Sequence, residues 1–95
     1  MILFPKAQTT IDYFDAEDNV ITMNGWLEPT LRNIGEATVE FLGMKVEPGD
    51  SFRIGSSGVL TVGAIDLNFL QDGQTLLKTK VSVTYQTINC NNDSP

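Results

Sequence analysis

The densest run of ionisable side chains in this sequence is DYFDAEDN, residues 12–19. Asp15, Glu17 and Asn19 fall at alternate positions, the spacing of the first ligands of a calcium-binding loop. That loop needs glycine at its sixth position and glutamate at its twelfth, where Val20 and Trp26 stand instead. The run therefore reads as a solvated turn, and neither a metal nor a cofactor is expected. Glycoside hydrolysis needs two carboxyl groups across a cleft, and spacing singles out no pair among the twelve acids. The chain has no histidine, the commonest general base and metal ligand. The serines and Cys90 thus lack a partner to activate them. EPGDS, residues 47–51, is a β-turn and not a phosphate cradle, because it lacks that motif's repeated glycines and lysine. A protein without catalytic activity is expected.

The elements that would position any site are strands. Helical spacing nowhere persists for three turns, whereas alternation of apolar and polar residues recurs. In LLKTKVSVTYQTI, residues 76–88, Leu77, Thr79, Val81, Val83 and Tyr85 share a face. Ile65, Leu67 and Phe69 alternate with Asp66 and Asn68 in the same way. Asp72-Gly73 between these runs predicts a hairpin over residues 64–88, since a tight hairpin turn needs positive φ. Upstream, Ala37, Val39 and Phe41 alternate with Thr38, Glu40 and Leu42. Gly43 permits a reversal, Pro48-Gly49 a turn, and SFRIG a further strand with Phe52 and Ile54 inward. TTIDYF and VITM predict two short strands, the second running toward Asn24-Gly25. Six to eight short antiparallel strands follow, giving an all-β chain: a small single-domain β-sandwich or compact barrel over residues 1–88. Residues 1–8 are read as a possible apolar arm and residues 89–95 as a flexible tail.

Ninety-five residues support one modest core. The net charge of −6 repels phosphate, so no nucleic-acid partner is expected. MILFPKAQTT has an apolar run too short for a signal peptide or a membrane span, so no membrane association is expected. A lone cysteine makes no intrachain disulfide. Trp26 is a candidate for the core or for an interface, since large aromatics serve both. Leu42, Leu60 and Val62 fall on the outward phase of their strands and form candidate contact points. Ile2, Leu3 and Phe4 in the N-terminal arm would add to a neighbour's sheet edge.

The stretch Leu31–Gly55 resembles a pattern of small all-β virion proteins of tailed bacteriophages: a strand, an Asn-x-Gly turn, a short Val-rich strand, a glycine reversal, then Pro-Gly-Asp-Ser and a strand. Asn33, Gly35, Val39, Gly43, Pro48, Gly49, Asp50 and Ser51 carry it here, over about a quarter of the chain. Such proteins serve as head decorations, neck or tail accessories, or fibre bases. The resemblance implies capsid, portal, neck or tail proteins as partners, together with copies of the chain itself. It also implies a place in the virion after assembly in the host cytoplasm, and it brings no catalytic residues. The competing expectation is a carbohydrate- or protein-binding β-sandwich module of a fibre or cell-surface assembly, which calls for a concave aromatic patch.

Overall fold

A computed structural model describes residues 5–56, 58–71, 73 and 76–90, with backbone alone at 5–7 and 88–90. Among the described residues there are eight strands and no helix. They are β1 (Pro5–Phe14), β2 (Val20–Asn33), β3 (Val39–Phe41), β4 (Met44–Val46), β5 (Ser51–Arg53), β6 (Leu60–Asp66), β7 (Asn68–Phe69) and β8 (Val81–Cys90). All pair antiparallel, in two sheets. The larger has the order β1-β8-β2-β5 with β6 also on β2; the smaller is β4-β3-β7. Both sheets feed one core, with Ile21, Leu31, Val81 and Val83 from the larger and Val39, Phe41 and Val46 from the smaller. The all-β class holds, with the two sheets arranged like a sandwich.

β2 is the spine of the larger sheet. Its burial steps by two from Ile21 to Met23, by three to Trp26, by three again to Pro29, then by two to Leu31 and Asn33. Each extra residue is absorbed where the backbone turns left-handed, at Gly25 (φ 82°) and at Glu28 (φ 50°). A single inserted residue would flip every later side chain to the wrong face, and the second restores the phase. The same irregularities divide the partners: β6 pairs with Val20–Leu27, whereas β5 pairs with Thr30–Arg32 and β8 chiefly with Thr30–Asn33. Asn24-Gly25 is accordingly a bulge inside a strand, which continues well beyond VITM. Pro29, which has no N–H to give, still accepts a bond on its carbonyl from Ile54 N at 2.7 Å.

The stretch after β2 is fixed by Asn33, a buried polar side chain. Its Nδ2 donates to the carbonyls of Ala37 (2.8 Å) and Val46 (2.9 Å), and its Oδ1 accepts from Gly35 N (3.1 Å). Its backbone adds Asn33 N to Asp50 O and Gly49 N to Asn33 O. One side chain thereby joins the end of β2 to the start of β3 and the end of β4. Gly35 lies against the chain leading into β8: a Cβ there would sit 2.6 Å from Lys80 N and 2.7 Å from Lys78 O. The β3–β4 hairpin turns at Leu42-Gly43, both at positive φ with Phe41 opposite Met44, the geometry of a type I′ turn. Glu47–Asp50 closes as the type II turn its Pro-Gly predicts, with Gly49 at φ 91° and Asp50 N bonded to Glu47 O.

The hairpin expected over residues 64–88 is not formed. Ile65 finds Ile21 on β2, Phe69 finds Val39 on β3, and β8 lies between β1 and β2. Gly73 is left-handed (φ 86°), as a turn glycine would be, but the flanking runs pair elsewhere. Asp72 lies outside the described residues. Regular pairing in the last run begins at Val81 and not at Leu76; Leu77 is instead clasped by Gln71, whose amide bonds both its N and its O. At the ends, Pro5 pairs with Cys90 and Lys6 with Asn89, so residues 5–8 and 89–90 belong to a β1–β8 ladder. Residues 1–4 and 91–95 lie outside the described residues.

Candidate functional site

The predicted contact residues go to different places. Trp26 is 8% exposed, with its indole stacked on the Tyr85 ring at 3.6 Å between centroids and 5° between planes. It is a core side chain of the chain's own fold. Leu42 is 68% exposed at the tip of the β3–β4 hairpin. Leu60 (51% exposed) and Val62 (73% exposed) project from β6 beside exposed Val59. The outward phase read for these three holds, but the fold divides them between two sheets. Ile2, Leu3 and Phe4 lie outside the described residues. Among the described residues β6 pairs with β2 alone, so its other edge is open for pairing.

The acidic turn has internal work. Asp15 Oδ1 accepts from Glu17 N (2.9 Å) and Asp18 N (2.8 Å), while Asn19 Nδ2 donates to Leu67 O. The Asp15 bonds close the β1–β2 turn, and the Asn19 bond, with Leu67 N donating to Asn19 O, ties it to the end of β6. Among the described residues no group of three or more His, Cys, Asp or Glu is placed to hold a metal ion. No helix of the described residues is long and apolar enough to cross a membrane.

A second surface, which the sequence pattern alone does not reveal, is the outward face of the larger sheet. Register sets two rows across four strands: Ile11, Thr84, Thr30 and Arg53 in one; Tyr13, Ser82, Arg32 and Ser51 in the other. At the usual strand spacing each row is about 14 Å long. Two open depressions lie over them, of about 480 and 360 Å³. They share Thr30 and Thr84 as walls and so form one trough. Arg32 and Arg53 line it, Arg53 paired with Glu28 at 3.8 Å, and Lys80 sits with its ammonium 4.9 Å from the Tyr13 ring centroid. Three of the chain's six bases thus lie on or beside a face lined by a single acid, Glu28, although the chain carries −6 overall. The sequence signal was present as alternating Ser, Thr and Arg, but only the register brings those residues into rows.

Beneath this face Tyr85 OH donates to Asp12 Oδ2 at 2.7 Å. Burial pushes the phenol up to about 12, and the Asp12 hydrogen bond and charge push the same way. A phenol held neutral in the fold stabilises fully below pH 10, and that contribution drains away as the pH climbs from 10 towards 12. The loss over this window amounts to about 2–3 kcal/mol at the standard conversion. Chemical denaturation at pH 9, 10 and 11 should show the parent losing stability more steeply than Tyr85→Phe. Parallel pH profiles for the two proteins would contradict the assignment.

No protein-family model, no curated protein and no solved structure matches this chain.

Proposed function

We propose that the chain is a non-enzymatic structural component of a tailed-phage virion. It acts at the head surface or the head–tail junction, through contacts with capsid, portal, neck or tail proteins and with copies of itself. The observation that carries this reading is β6, an edge strand with an open side and three neighbouring exposed apolar residues, Val59, Leu60 and Val62. Strand edges of this kind pair with another chain unless something blunts them. The resemblance of Leu31–Gly55 to small virion proteins supports the particle as the setting. A net charge of −6 sets a general repulsion between copies, which salt screens.

Gradient-purified virions of the phage encoding the chain should contain it at a fixed copy number by quantitative mass spectrometry. Its absence from those particles would remove the virion reading. The second reading, a binding module, is favoured by the trough on the larger sheet.

A further inference from the structure

We propose that the trough across β1, β8, β2 and β5 is a binding site for a carboxylated oligosaccharide, an inference that stands apart from the assembly reading. Four hydroxyl side chains line the trough: Thr30, Ser51, Ser82 and Thr84 share one face in two adjacent rows, the Thr30 hydroxyl also donating to Glu28 O at 3.3 Å. A hydroxyl both donates and accepts, so such a lining suits a ligand that is itself polyhydroxylated. The cation is the second feature. Arg32 is exposed at the trough with no carboxylate partner among the described residues, and its planar fork matches a carboxylate with two parallel hydrogen bonds.

The third feature is the rim. Tyr13 is 56% exposed, with the Lys80 ammonium holding its ring. It offers apolar ring surface to the C–H side of a sugar and a phenol to its hydroxyls. The two depressions joined at Thr30 and Thr84 make an extended site, in the size range of small-molecule pockets. A protein interface is favoured less, because its centre is commonly apolar and water-excluding. Here the lining is mixed, with Ile11, Tyr13 and Ile34 beside Arg32 and four hydroxyl side chains, and both depressions are open to water. The acids elsewhere on the chain do not cancel the attraction, since at physiological salt a charge is screened over about 8 Å.

The test is titration of the ¹⁵N-labelled full chain with oligogalacturonate and sialyllactose, with neutral maltooligosaccharide and a glutamate-rich peptide as comparisons. The two carboxylated sugars distinguish a uronate from a sialate ligand. At least one is expected to give saturable amide shifts at residues 30–32 and 82–84, stronger than either comparison. Arg32→Gln should weaken that binding about tenfold or more, as loss of a charge-assisted hydrogen bond does. Ser82→Ala and Tyr13→Ala should weaken it as well, each variant first shown to be folded by its amide spectrum. Val62→Asp, on the β6 edge, should leave it unchanged and so separates this site from the assembly surface. Absence of saturable binding to both carboxylated sugars at physiological salt overturns the proposal. So does binding indifferent to Arg32→Gln, and tighter binding of the peptide would assign the trough to a protein partner instead.

Discussion

Replacing Asn33 with alanine should destabilise this protein by about 3–5 kcal/mol, because two buried carbonyls lose their donor and each orphaned group costs about 1–3 kcal/mol. The carbonyls are those of Ala37 and Val46, bonded at 2.8 and 2.9 Å, and Gly35 N loses its acceptor as well. These groups lie where β2, β3 and β4 meet, so no single strand can relax to satisfy them. Asn33→Asp should do at least as much harm at neutral pH, since it turns a two-proton donor into an acceptor facing two carbonyl oxygens. Urea denaturation followed by circular dichroism measures both. A loss below about 1 kcal/mol for Asn33→Ala would mean that water replaces the amide and that the side chain is not the junction described.

Trp26→Ala should be comparably severe, at about 3–5 kcal/mol for removal of a buried large aromatic. The stack on Tyr85 adds about 0.5–1.5 kcal/mol to that figure. For a domain of this length the combined loss lowers the thermal midpoint by roughly 15–40 °C. Trp26→Phe, which keeps a ring against Tyr85, should recover a large part of the difference. Unchanged thermal stability with altered association would place the indole at an interface, against its 8% exposure in the subunit.

Local chemistry was legible where a residue decides its own conformation. Gly43, Pro48 and Gly49 fix turns by their φ preferences, and the turns stand where those residues predict. The alternation of Val81, Val83 and Tyr85 likewise marks a half-buried strand, and it is one. What alternation cannot carry is the identity of the partner. Ile65 presents the same face whether it meets β8 or β2, and the Asp72-Gly73 signal favoured the nearer strand although Ile21 is the residue it packs beside. The strand expected at VITM covers only the start of β2, because the paired insertions at Gly25 and Glu28 cancel each other only in three dimensions. The same limit hid the trough. Tyr13, Ser82, Arg32 and Ser51 lie far apart in the chain, and only register makes them one row. Asn33 gave a turn signal, and its burial under three chain segments had no sequence correlate.

Leu60 and Val62 connect these levels to function. Their alternation is local, they take the outward face of β6 while Ile65 on the same strand is buried, and under the proposed function the open edge beside them is where a partner would pair. Identical subunits most often close such contacts with rotational symmetry. The most direct measurement is the solution mass of the chain by light scattering after size exclusion, over a wide concentration range and beside Val62→Asp. A discrete oligomer that dissociates on dilution, and that Val62→Asp converts to monomer with its fold intact, is the expected result. A monomer at every concentration, or an oligomer indifferent to Val62→Asp, would contradict self-assembly through β6.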